Sequence, residues 1–258
     1  MNKNYAIEAR SLNIAGFWSH NFWVLRHPNG EVMGELHGLA TDRRNGQFVP
    51  IGTNEHHSLR AWHFTSAKHS SEVGVKSNVV NQHAFYEQGQ RASTLLMGDV
   101  NTVMPRWRAA AKSVDFINGM DLNYPAGGVK VTGKTKNSNS MYTTMGDIMG
   151  LPRFSFWQVF EPGISTPVLI PDLVDAVLAL SGEVWDSPVH SPVPSRQPAV
   201  NSSPAIPPPN TLPMPRGGGR PPRVNRGGVG YRPGIGNSPP RGRVSIPFVE
   251  ITRGGGSN

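Results

Sequence analysis

A chain of 258 residues without cysteine excludes disulfides, thiolate metal sites and a cysteine nucleophile. Its net charge of +8 is unevenly placed: residues 1–186 hold 16 basic and 16 acidic groups, whereas residues 187–258 hold nine arginines against Glu250. Attraction to nucleic acid or to an anionic membrane surface is therefore expected of the tail and not of the preceding domain.

The tail also contains 16 of the 24 prolines and several Gly-Gly steps. It carries too little periodic apolar surface to offset its ordering entropy and reads as disordered. The boundaries are accordingly a domain at 1–186, long enough for one core, and a Pro/Gly/Arg-rich tail at 187–258. The residues after Met1 form no apolar h-region, and no run approaches 18 apolar residues. Cytosolic residence, or export without a cleaved signal, is expected, with no membrane span.

In chain order, Tyr5 to Ile14 reads as a first strand. Asn21 to Arg26 and Glu31 to Leu36 flank Asn29-Gly30, the strongest short hairpin signal, with His20 and His37 at the two ends. Phe22 and Val24 alternate with Trp23 and Leu25, so this strand is expected to be covered on both faces. Residues 40–60 are polar and turn-rich. Ala61 to Thr65 and Gly74 to Val80 are candidate short strands, and Ala84 to Met97 is ambiguous.

Asp99 caps a helix running to Asn118, with Val103, Trp107, Ala110, Ala111, Val114 and Ile117 on one stripe; Pro105 is tolerated if it lies in the first turn. A second helix is expected from Ser138 to Met149, stopped by Gly150 and Pro152, and a third over Pro171 to Leu180.

A two-residue turn at Asn29-Gly30 sets Phe22 opposite His37 and places His20 diagonally from His37 on the same face; a three-residue loop separates them. Two histidines on one face supply a base and its orienting partner, which a weakly nucleophilic hydroxyl needs. Near strand ends, they are also, and more commonly, histidines satisfied by the backbone. Ser138 follows Asn137 at a helix start, where N–H groups and the positive dipole end stabilise an oxyanion. An Asn-Ser pair at that position also serves simply as a cap.

Histidine beginning one strand, a polar residue ending the next, and Asn137-Ser138 with Met141 three residues on together resemble the circularly permuted papain-like superfamily, whose familiar branch is the lecithin–retinol acyltransferase-like proteins. The resemblance spans residues 15–150. It implies an α+β fold, a small antiparallel sheet packed against helices, and hydrolysis or acyl transfer at an amide or ester. By that resemblance His20 is the general base, His37 its orienting group and Ser138 the nucleophile, standing where the family has cysteine. Asn137 and Trp18 are the candidate substrate-binding residues. Ser140 is a weaker nucleophile candidate because Thr143 stands where an apolar anchor is expected. The competing reading is a non-catalytic interaction protein with a partner-binding domain and a basic tail for anionic partners.

No cofactor or metal is expected. His56, His57 and His63 match no compact ligand spacing. Gly128 to Thr135 fits the phosphate-loop pattern literally, but no apolar strand precedes it and no helix is expected to start at Lys134. Arg-Gly-Gly steps at Arg216, Arg226 and Arg253 resemble RNA-binding segments; the sparse aromatics there (Tyr231 and Phe248) make a linker or docking arm at least as suitable.

Overall fold

Consecutive apolar residues in extended segments build the centre of the domain. In the computed structural model, which describes residues 4–14, 18–49, 52–80, 85–129 and 134–185, the first three strands are β1 (Tyr5–Ile14), β2 (Trp18–Arg26) and β3 (Val32–Asp42). Every residue of β3 is buried, as are Ser19 to Leu25 of β2. Next come β4 (Phe48–Val49), β5 (His57–Thr65), a 3₁₀ turn at Ala67–His69, α1 (Ser70–Val73), β6 (Val79–Val80) and β7 (Arg91–Gly98). α2 (Val100–Gly119), a 3₁₀ turn at Ala126–Gly128, α3 (Ser138–Ile148) and α4 (Pro171–Ser181) complete the described chain. The chain divides into two units, Met1–Val200 and Asn201–Asn258. All described residues fall in the first unit, and the tail expectation lies outside them.

The fold is α+β: a seven-stranded sheet in the order β6-β5-β3-β2-β1-β7, with β4 on β3, packs against helices. All pairs are antiparallel except β5 with β6. The sheet is larger than expected. β5 begins four residues before Ala61, and the ambiguous stretch yields the edge strand β7; only Val79–Val80 of the expected strand at 74–80 pairs. Asp99 caps α2 as expected, accepting from the Thr102 amide at 2.9 Å. Pro105 sits in the second turn, one turn deeper than expected, and α2 continues through it. No helix among the described residues is long and apolar enough to cross a membrane.

The sheet has two dissimilar faces. Ile7, Ala9, Trp23, Leu25, Leu36 and Ala40 face α2 and α3 in the main core. Phe22, Val24, Leu39, Trp62 and Phe64 point the other way, beneath Phe48 and Phe85. Gly34 and Gly38 permit close approach on the helix face: a Cβ at Gly38 would stand 2.3 Å from Met141 Cβ and 3.0 Å from the Ser138 carbonyl oxygen.

The hairpin turn has three residues, not two. Gly30 N–H donates to the His27 carbonyl at 2.8 Å and His27 N–H to the Glu31 carbonyl at 2.9 Å, with Gly30 left-handed at φ 86°. That loop alone would have put the two histidines on opposite faces. A bulge at Met33 inserts one more residue, since Arg26 pairs with Val32 but Leu25 pairs with Gly34. The two offsets cancel, and the register from Leu25 onward is the one a two-residue turn would have set.

Candidate functional site

Beyond Trp23 and Leu36 the strands β2 and β3 part. β3 pairs with β2 only up to Leu36 and takes β4 at Ala40 and Thr41. The opening is filled by Asn139 of α3, whose side chain accepts from Asn21 N–H at 2.9 Å and donates to the Ser19 carbonyl at 2.9 Å. One side-chain amide thus replaces a stretch of ladder, leaving those backbone groups satisfied. Ser19 N–H turns instead to the Phe160 carbonyl at 3.1 Å.

On the face away from the helices, the structure brings His20 and His37 together. His20 Nε2 lies 3.0 Å from His37 Nδ1, and the rings are parallel within 5°. His37 Nε2 lies 2.8 Å from Glu35 Oε2, which also accepts from Phe85 N–H at 3.2 Å. Where Glu35 accepts from His37 Nε2–H and His37 Nδ1 accepts from His20 Nε2–H, His20 Nδ1 is left as the basic nitrogen of the chain. Glu35, two residues before His37, completes the chain; its strand-period spacing was the available signal, and it went unread. All three side chains are buried among Phe22, Phe64 and Phe85. Burial, seconded by His37, pushes His20 down to about 3, with Glu35 opposing.

Ser138 is placed elsewhere. It lies at the start of α3 on the helix-bearing side, in a cavity of about 30 Å³ shared with Trp18, Asn137, Asn139 and Tyr124. Tyr124 lies in the same cavity; burial raises its pKa, with Ser138 opposing. Asn137 Oδ1 accepts from Asn139 N–H at 3.0 Å and from Ser140 N–H at 3.3 Å, and Ser140 Oγ accepts from Asn137 N–H at 3.1 Å. This is a complete capping box. The structure therefore brings Ser138, Asn137 and Trp18 together around one cavity, and His20 and His37 together among the aromatics. Two first-turn amides of α3, those of Asn139 and Ser140, are thus already taken by the Asn137 side chain. Ser140, the weaker candidate, is buried and donates to the Thr135 and Gly163 carbonyls.

The remaining motifs do not converge. His57 Nδ1 accepts from Thr53 N–H at 2.9 Å, His56 is exposed, and His63 is buried beside Thr65 and Trp107. Burial lowers His63 to about 4. Residues 130–133 of the phosphate-loop pattern lie outside the described residues; its flanks are a 3₁₀ turn before and a helix that starts only at Ser138.

The aromatic loop beside the opening was missed in the sequence, because nothing periodic marks it. Trp157 is 83% exposed and Phe160 51% exposed. Trp18 meets Phe160 edge-on, with ring centroids 5.8 Å apart. Buried Glu161 closes this loop, accepting from Asn21 Nδ2 at 2.6 Å, from Phe156 N–H at 3.0 Å and from the Ser155 hydroxyl. Arg91 adds a hydrogen bond to the Trp157 carbonyl at 2.6 Å. No family model, no curated protein and no solved structure matches this chain.

Proposed function

We propose that the described domain is a non-catalytic binding module that presents Trp157 and Phe160 to a protein partner, with the basic tail adding affinity for anionic surfaces. The observation that carries this reading is the pairing of exposed aromatics with a loop locked from beneath by the buried Glu161 carboxylate. A large aromatic side chain held in place in the free state loses little entropy on binding, which is why such residues anchor interfaces. The disposition of Ser138 supports it from the other side: it lies in a small cavity beside Tyr124, and the Asn139 and Ser140 amides of its helix are spent on capping.

The test is a photo-crosslinker at position 157 to identify the partner, followed by titration with that partner purified. Trp157→Ala and Phe160→Ala are expected to weaken binding by about 2 kcal/mol each without loss of folding. Tail removal is expected to flatten the salt dependence of affinity. Unchanged affinity in both aromatic variants would overturn the proposal.

A permuted papain-like serine hydrolase is the second reading, favoured by the His20–His37–Glu35 chain, which matches a base with its orienting groups. It requires the Ser138 hydroxyl to meet His20 Nδ1. Fluorophosphonate labelling abolished by both Ser138→Ala and His20→Ala would establish it and displace the binding reading.

A further inference from the structure

At the turn end of the hairpin, far along β2 and β3 from the opening, a second set of titratable side chains converges. His27 comes from the turn, His69 from the 3₁₀ turn after β5, and Glu72 from α1. One ligand atom from each lies within 4.8 Å of the others. We propose that His27, His69 and Glu72 form a site for a divalent cation of the zinc class, with water completing its coordination.

The geometry suits that ion. His69 Nδ1 and Glu72 Oε2 are 3.4 Å apart, the edge of a tetrahedron whose ligands stand about 2.1 Å from its centre. Two imidazoles and a carboxylate are the donors that zinc, nickel and copper accept, and an all-oxygen calcium or magnesium site is a different set.

The surrounding groups point the same way. His69 Nε2–H donates to Glu31 Oε2 at 2.9 Å, and Lys68 holds that carboxylate at 2.7 and 2.8 Å. A histidine whose far nitrogen is tied to a carboxylate presents its near nitrogen as a lone pair, the usual support behind a metal-bound imidazole. That lone pair then faces the Glu72 oxygen, acceptor against acceptor, a contact that a cation between them makes favourable. The Tyr5 hydroxyl donates to Glu72 Oε1, so the ligand carboxylate is oriented as well. Tyr5 also meets the His27 ring edge-on, and His27 stacks on His69 with centroids 5.0 Å apart.

One contact is given up. Asn29 N–H reaches His27 Nδ1 at 3.3 Å. Binding through Nδ1 displaces it, and binding through Nε2 puts a proton on Nδ1 that opposes it. The loss is one long, exposed hydrogen bond. A proton on His69 satisfies the same acceptor pair without any metal, so the experiment must separate the two.

The full-length, tag-free protein is titrated with zinc by calorimetry and with cobalt(II) by visible absorption. One equivalent of zinc is expected to bind, cobalt to give the intense band of a near-tetrahedral site, and zinc to raise the melting temperature. His27→Gln and Glu72→Gln, both at half-buried positions, are expected to weaken binding by at least about tenfold while the far-ultraviolet circular dichroism is unchanged. The His56→Ala/His57→Ala double variant is expected to bind as the native protein does. Absence of one-equivalent binding, or equal binding by the site variants and the native chain, overturns the metal site.

Discussion

Acidification should destabilise this domain above the range in which carboxylates titrate, and two buried histidines set the size of the effect. Burial holds His20 at about 3 and His63 at about 4, against an unfolded value of about 6.5. Both folded values lie below the unfolded one, so between them the unfolded chain binds more protons. Stability is then complete above about pH 6.5 and falls as pH drops toward the folded values. Between about pH 7 and pH 5 each histidine removes roughly 2 kcal/mol, roughly 4 kcal/mol together, out of a total of about 5–15 kcal/mol for an ordinary domain. Urea unfolding at half-unit pH intervals measures this loss directly. His20→Gln and His63→Gln should each remove about one proton from the slope of stability against pH. A stability that stays level between those pH values, or a slope that neither substitution changes, would refute the reasoning.

Three further outcomes are expected. Gly38→Ala places a methyl group against Met141 and should destabilise by about 1–3 kcal/mol, read as a lowered urea midpoint at unchanged slope. Asn139→Ala strips the partners from Asn21 N–H and the Ser19 carbonyl and should destabilise by about 2–4 kcal/mol; hydrogen exchange at the Asn21 amide should accelerate with it. Trp157→Ala should leave the urea midpoint within about 0.5 kcal/mol of native, since a residue that exposed packs on little.

Local chemistry made several elements legible. Asn29-Gly30 marks a turn by its backbone freedom, Asp99 a helix start by its side-chain acceptor, and Asn137 a cap of the same kind. What the sequence did not disclose was which face of the sheet the helices cover. In β2 Phe22 and Val24 are as apolar as Trp23 and Leu25, so alternation is silent on sidedness. The informative residues were Gly34 and Gly38. Glycine inside a strand marks a close approach, and here α2 and α3 come in over those positions, sending His37 between them to the other side. The start of α3 and the His37 side chain thus lie on opposite sides of β3. The cluster of His27, His69 and Glu72 was illegible for another reason: His69 and Glu72 are three residues apart, but His27 lies 42 residues before the nearer of them, and no local pattern joins all three.

The three-residue turn and the bulge at Met33 form a pair of compensating frameshifts in space. Removing one residue from the turn, or Met33 alone, would leave the strand intact while exchanging its two sets of side chains. Glu35 and His37 would be driven under the helices, and Leu36 and Ala40 sent among the aromatics opposite. Removing one residue from each would restore every partner. Single deletions on either side of Val32 should thus be far more damaging than the double deletion, so chain length in this hairpin can change only in coupled steps.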